Sequence, residues 1–233
     1  MAATCRIDVE RYKAVLFDLD GVIADTMSLH YEAYRQAFGK YGIHVTPLEI
    51  YLTEGMPSME TGKTIVREKE APLTADQVKK LIEEKRDIYR SLAAREAKAY
   101  AGVPETLRIL RENSIKLALI TGSNLKTAME VLKKVGLDSA FDAIVTGDDT
   151  PRGKPFPDPY LKGMDKLGMP PENCVVVENA PLGIASAKAA GAGYVIGVTT
   201  TLSAGYLKGA DDIMPSFADI EECLASRLGN SSS

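Results

Sequence analysis

Histidine is almost absent from these 233 residues: His30 and His44 are the only two. A multi-histidine metal centre is thereby excluded, and a Ser-His-Asp triad would have to use one of these positions, so carboxylates are the expected reagents of any enzyme here. Cysteine is scarce too. Cys5, Cys174 and Cys223 are odd in number and far apart, without the spacing of a zinc site or a disulfide framework, and are expected to be ordinary thiols. Neither sign of charge dominates. Lys and Arg number 28 against 32 Asp and Glu, and a net charge of −4 gives the surface no attraction for a phosphate backbone or an anionic membrane. Neither nucleic acid nor membrane is expected as a partner. No apolar run approaches the roughly 20 residues of a bilayer crossing, and residues 1–9 lack the basic and apolar regions of a signal peptide. The expectation is a cytoplasmic monomer.

What is present is an apolar content of 45%, enough for one main domain with an insertion. Short runs rich in Val, Ile, Leu and Ala lack strand-type alternation: Ala14 to Phe17, Lys116 to Ile120, Ala143 to Val145, Cys174 to Val177 and Tyr194 to Val198. Such runs predict strands buried on both faces, as in a parallel sheet. Between them, helical periodicity covers Val103 to Glu112, Leu125 to Val135, Asp158 to Leu167 and Leu182 to Ala190. The alternation predicts an α/β fold with a doubly wound parallel sheet. The stretch from about Met27 to Lys98 breaks that rhythm, being charged and helical in period. Thr74, Ala75, Asp76 and Gln77 read there as a capping box before a long helix from Val78 to Arg95. An all-helical insertion over residues 25–98, within a core of residues 1–24 and 99–233, is the simplest division. The tail Gly229 to Ser233 is expected to be disordered.

In open α/β sheets ligands bind beyond the carboxyl ends of the strands, so the residues ending each apolar run carry the functional signal. Asp18 and Asp20 end the first run and, two apart, project to one side of an extended chain. Their repulsion calls for a cation or a proton, which points to Mg²⁺ binding, nucleophilic catalysis, or both. Thr121, Gly122 and Ser123 end the second run just before a helix, a place suited to a phosphate. Lys154 lies between Gly153 and Pro155, with Pro157 restricting the backbone further, and can neutralise a phosphoryl oxygen and a carboxylate together. Glu178 and Asn179 end the fourth run and offer oxygen ligands to a hard cation.

These four strand ends, in this order, resemble the haloacid dehalogenase superfamily of phosphotransfer enzymes, and within it the β-phosphoglucomutase-like phosphatases with a small helical cap. The resemblance rests on Asp18-Leu19-Asp20-Gly21-Val22, Thr121-Gly122-Ser123, Gly153-Lys154-Pro155 and Val177-Glu178-Asn179-Ala180-Pro181-Leu182-Gly183. It implies that Asp18 takes the phosphoryl group as an aspartyl phosphate and that Asp20 protonates the leaving oxygen and later activates water. It further implies that Thr121, Gly122 and Ser123 hold phosphoryl oxygens, with Lys154 offsetting their charge. Asp18, the Asp20 carbonyl, Glu178 and Asn179 would hold Mg²⁺. Asn179 departs from the family's commoner second acid and brings no charge to that set.

The helical insertion matches the cap, with Asp25 and Thr26 beginning its linker, Thr26 capping its first helix, and His30 one turn in. Glu54, beside Gly55, stands where β-phosphoglucomutases carry a lysine for a second phosphate, and no cation lies in Glu54 to Glu60. That absence disfavours a mutase, and Glu54-Gly55 together with the run from Glu178 to Gly183 is similar to members hydrolysing inorganic pyrophosphate. The resemblance therefore implies a Mg²⁺-dependent phosphohydrolase of a small phosphorylated substrate. A sugar phosphate mutase, a phospho-acceptor switch and a phosphate-binding protein remain as alternatives.

Overall fold

The computed structural model describes residues 11–228, with side chains through residue 223. Cys5 and the tail from Gly229 lie outside the described residues. Six parallel strands form the central sheet: β1 (Ala14–Phe17), β4 (Lys116–Ile120), β5 (Ala143–Val145), β6 (Cys174–Glu178), β7 (Tyr194–Val198) and β8 (Asp212–Met214). Their order across the sheet is β5-β4-β1-β6-β7-β8, so chain direction reverses its spatial progression at β1. That switch point opens a crevice above the carboxyl ends of β1, β4 and β6.

The unbroken apolar runs follow from burial of both faces. Val15, Phe17, Leu117, Leu119, Val175 and Val177 pack on one side; Leu16, Ala118, Ile120, Cys174 and Val176 pack on the other. The register aligns Phe17 with Leu119 on one flank and with Val177 on the other, so the residues that follow all three strands emerge at one level. Helices α5 (Val103–Glu112), α6 (Leu125–Lys134), α7 (Asp158–Leu167), α8 (Pro181–Ala189) and α9 (Phe217–Leu228) accompany the sheet. Pro181 opens α8 because its missing N–H is unneeded in the first turn.

Residues between β1 and β4 form α1 (Met27–Gly39), α2 (Pro47–Leu52), α3 (Ser58–Glu68) and α4 (Ala75–Glu96). Thr74 caps α4 through a complete capping box with Gln77, and Thr46 with Glu49 does the same for α2. The helices bury an apolar cluster of their own around Phe38, Ile50, Leu81 and Ile82. A two-strand antiparallel ribbon, β2 (Ala24–Asp25) with β3 (Lys98–Ala99), joins them to the sheet.

Several expectations need correction. β8, α9 and the ribbon carry no sequence pattern strong enough to predict them. α4 begins three residues before the expected Val78, because its capping box starts the helix directly. Cys223 is disulfide-bonded and so is not a free thiol, whereas Cys174 is free and buried. Cysteine spacing carries no signal for a single bridge between distant positions. Thr26 occupies the N-cap position of α1 but makes no side-chain cap hydrogen bond. Its hydroxyl is used elsewhere, as described below. Among the described residues, no helix is long and apolar enough to cross a membrane.

Candidate active site

β1 delivers Asp18 to the crevice, and the main chain of Asp18 continues the ladder by donating its N–H to the Val177 carbonyl at 3.2 Å. Its carboxylate is almost wholly buried. Oδ1 accepts from Lys154 Nζ at 2.5 Å, while Oδ2 has no partner. Lys154 Nζ also donates to Glu178 Oε1 at 2.6 Å and to the Ile120 carbonyl at 3.2 Å. One ammonium therefore serves two carboxylates, and its three donors are all used. Burial opposes the charge on Lys154, but Asp18 and Glu178 outweigh that and raise its pKa. Burial likewise pushes the Asp18 carboxyl up; Lys154 pulls it down, Glu178 and Asp20 push it further, and it comes to about 8.

Glu178 is wholly buried at the end of β6. Oε1 accepts from Lys154 and from Tyr160 Oη at 2.7 Å, and Oε2 accepts from the Asn179 N–H at 3.0 Å. Oε1 thus accepts twice and Oε2 once, which leaves Oε2 a further lone pair. The carboxylate lies directly over Gly183, where an added Cβ would stand 1.8 Å from Oε1.

Asn179 donates from Nδ2 to Thr201 Oγ1 at 3.0 Å, leaving its Oδ1 buried and without a donor. Buried polar atoms are normally satisfied, so the unpaired oxygens of Asp18 and Asn179 signal a missing electropositive partner. Among the described residues no group of three or more His, Cys, Asp and Glu is arranged to hold a metal ion. The oxygens left without a donor are one of the Asp18 carboxylate and one of the Asn179 amide, both hard and suited to Mg²⁺.

Asp20 is held by residues of the helical insertion. Its Oδ1 accepts from Thr26 Oγ1 at 2.6 Å and from Tyr89 Oη at 2.7 Å, with His30 Nε2 3.1 Å away. Burial alone would raise this carboxyl, but His30, Thr26 and Tyr89 prevail and hold it below the ordinary range. Behind it, the Nζ of buried Lys85 lies 2.8 Å from His30 Nδ1. Lys85 thus lies against Nδ1 of the ring whose Nε2 faces Asp20. The His30 and Tyr89 rings stack with centroids 3.8 Å apart. Burial brings Lys85 down to about 7, with Asp20 opposing the fall. Burial and then Lys85 lower His30 as well.

Thr121, Gly122 and Ser123 line a small cavity together with Asp20, His30 and Glu54. Thr121 Oγ1 accepts from the Ser123 N–H at 3.1 Å, which folds the turn upon itself. The cap of α6 is Asn124, whose side chain accepts from the Thr127 N–H. Thr121 and Ser123 are therefore not consumed in capping that helix. Glu54 is also buried, with Oε2 unpartnered, and burial followed by Asp18, Asp20 and Glu178 raises its pKa well above the ordinary value. Asp25 stands apart from the others. It is exposed on β2, and its carboxylate accepts from Tyr100 Oη at 3.2 Å.

The structure thus gathers ten of the eleven expected positions around one crevice and leaves Asp25 outside. Sequence reasoning missed Lys85, Tyr89 and Tyr160. Lys85 and Tyr89 are four apart on α4 and hence share a helix face, which was the one legible sign of them.

A buried carboxylate beside a lysine, with a second carboxylate in reach and a hydroxyl-bearing turn opposite, defines a hydrolase site suited to phosphoryl chemistry. The chain matches the model of the haloacid dehalogenase-like hydrolases over residues 15–197. It is 35% identical over 194 residues to a phosphorylated carbohydrates phosphatase of Thermotoga maritima, spanning 83% of this chain and 88% of that protein. It is 33% identical over 182 residues to a pyrophosphatase of Halalkalibacterium halodurans, spanning 76% and 79%. Among solved structures, the β-phosphoglucomutase of Clostridium difficile superposes with a TM-score of 0.80 at 28% identity, over 94% of this chain and 99% of that one. The protein belongs to the haloacid dehalogenase-like hydrolase family, and it is a hydrolase of the phosphatase kind.

Proposed function

We propose that the protein is a Mg²⁺-dependent phosphohydrolase of a small phosphorylated substrate, acting through an aspartyl phosphate on Asp18, with inorganic pyrophosphate as the specific candidate. The observation that carries this reading is the Asp18 carboxylate, buried, fixed by Lys154 through one oxygen and unpaired at the other. A nucleophile held in this way has little reorganisation left to undergo.

In the first half-reaction an Asp18 oxygen forms a bond to phosphorus as the bond to the leaving oxygen breaks, and that oxygen takes a proton from Asp20. In the second, water attacks phosphorus, Asp20 takes a proton from it, and the Asp18–phosphorus bond breaks to release phosphate. The low pKa of Asp20 suits the base role in the second half directly. Approach of an anionic substrate raises it toward the acid role needed in the first. A phosphate leaving group asks less of that acid than an alkoxide does, which favours pyrophosphate. Lys154 neutralises negative charge on Asp18 and the transferring group, while Thr121, Gly122 and Ser123 hold phosphoryl oxygens. Asp18, the Asp20 carbonyl and Asn179 would hold Mg²⁺, with Glu178 supporting from behind. The ion would supply the positive charge that lets carboxylates and phosphate share one site.

The helical insertion acts as a cap that closes on the site and brings Glu54 to it. Glu54 places a carboxylate where a second phosphate on a sugar would need a cation, which counts against mutase chemistry. Activity on pyrophosphate, sugar monophosphates and phosphoglycolate, with and without Mg²⁺, tests the reading. Release of phosphate only with Mg²⁺, and none from Asp18→Asn, is the expected result. Interconversion of glucose 1-phosphate and 6-phosphate, given a bisphosphate primer, would overturn it in favour of a mutase.

A further inference from the structure

Asn179 is the only uncharged side chain among the oxygens proposed for Mg²⁺, and unlike a carboxylate it has a wrong way round. Turned over, its amide offers an ion two N–H groups in place of an oxygen. The group that takes up its NH₂ end is Thr201, in the loop after β7. Thr201 Oγ1 accepts from Asn179 Nδ2 at 3.0 Å, and Asn179 Oδ1 stays buried without a donor. The loop that carries Thr201 is itself tied down on both sides. The Thr199 N–H donates to the Met214 carbonyl at 3.1 Å, and the Thr200 hydroxyl donates to the Gly21 carbonyl in the turn after β1. Gly21 leaves the space in which amide and hydroxyl meet. Its φ is +88°, and an added Cβ would stand 2.1 Å from Asn179 Nδ2 and 2.7 Å from Thr201 Oγ1.

We infer that Thr201 is a positioning residue for metal binding: its hydroxyl takes up the NH₂ end of Asn179 and so presents the amide oxygen to Mg²⁺. The inference rests on the Mg²⁺-dependent reading above and deepens it. Thr201 reaches the reaction only through Asn179. Partners that stand one hydrogen bond behind a metal ligand carry about 10–100-fold in metal affinity. Orientation matters more for Asn179 than for an acid, because the amide brings no charge of its own to the ion. The hydroxyl and not the bulk of Thr201 carries the effect. Valine keeps the shape of this half-buried side chain and removes the acceptor, whereas serine keeps the acceptor and removes a methyl group.

The test compares wild type, Thr201→Val and Thr201→Ser in two measurements: calorimetric titration with Mg²⁺ in the absence of substrate, and the Mg²⁺ dependence of phosphate release from pyrophosphate. Thr201→Val is expected to weaken the Mg²⁺ dissociation constant by about 10–100-fold. Its activity midpoint in Mg²⁺ should move by a similar factor, with kcat at saturating Mg²⁺ close to wild type. Thr201→Ser is expected to bind Mg²⁺ as wild type does. Wild-type affinity in Thr201→Val, or an equal loss in both variants, overturns the inference. So does a lower kcat at saturating Mg²⁺ with an unchanged dissociation constant. Melts in chelator complete the comparison: a merely structural role would lower the Thr201→Val melt and leave its Mg²⁺ constant in place, which also overturns it. Should Thr201→Val not fold, Thr201→Ala against Thr201→Ser is read in the same way. Wild-type protein that takes up no Mg²⁺ refutes the metal-dependent reading itself. Wild type that binds Mg²⁺ but releases no phosphate refutes pyrophosphate as the substrate, while the calorimetry still decides the role of Thr201.

Discussion

Gly183→Ala should break the active site by a purely steric route. Alanine is a better helix former than glycine by up to about 1 kcal/mol, so the helix itself gives no reason for a loss. The new Cβ would lie 1.8 Å from Glu178 Oε1, 2.3 Å from Oε2 and 2.0 Å from Cδ, so the methyl and the carboxylate cannot coexist. Glu178 must leave, and three donors lose their acceptor: Lys154 Nζ, Tyr160 Oη and the Asn179 N–H. Breaking a buried ion pair costs about 3–5 kcal/mol. Set against the helix gain, the variant should lose about 2–4 kcal/mol of stability. It should lose most activity too, since Lys154 then has only Asp18 and a carbonyl to fix it. The assay is urea unfolding of Gly183→Ala, Glu178→Ala and the double variant. With Glu178 already reduced to alanine the three nearest atoms to the methyl are gone, so Gly183→Ala should there be neutral or slightly stabilising. Equal costs for Gly183→Ala in both backgrounds would refute the reasoning, because the two positions would then be independent.

Asp20→Asn should lower kcat by about 10²–10⁴-fold through loss of acid–base help, less on pyrophosphate than on sugar phosphates; steady-state kinetics on both substrates checks the order. Without Mg²⁺, burial pushes the Asp18 carboxyl up to about 8 from 3.8 when unfolded, so the protonated form is favoured by folding. Its stabilising effect is full below about pH 4 and is lost as pH rises toward about 8. Thermal melts in chelator should therefore fall with pH more steeply for wild type than for Asp18→Asn, and equal slopes would contradict this. Glu54→Ala removes a buried carboxyl whose Oε2 has no partner and should raise metal-free stability while cutting pyrophosphate turnover more than sugar phosphate turnover. Melting curves beside the two kcat/KM values decide that case.

The sheet was legible because burial on both faces erases alternation. Leu16 packs on one side and Phe17 on the other, yet both had to be apolar. β8 was illegible for the converse reason: its three residues, Asp212 to Met214, are too few and too mixed to show a pattern. Asp18 and Thr121 could be singled out because strand ends at a parallel sheet's carboxyl edge face the crevice whatever the sequence elsewhere, and Lys154 because Pro155 and Pro157 restrict the backbone around it. Lys85 and Tyr89 could not, since they lie 55 and 69 residues from the groups they touch. A lysine on a charged helix also reads as a solvated face until its neighbours are known. Glu178 shows the limit most plainly. Its acidity and position suggested a ligand, and only the structure shows that its oxygens accept from Lys154, Tyr160 and the Asn179 N–H. Thr26 was placed correctly at the start of α1, but its hydroxyl serves Asp20 across the ribbon instead of the helix.

The central claim is that Asp18 carries the phosphoryl group. Acid quench of a reaction with ³²P-labelled pyrophosphate and Mg²⁺, within the first turnover, tests it most directly. The trapped acyl phosphate is reduced with borohydride before peptide mapping. The account predicts label on the protein before the quench and homoserine at position 18 after reduction, with neither in Asp18→Asn. Turnover of labelled substrate without any protein-bound phosphate, or reduction at another carboxylate, would contradict it.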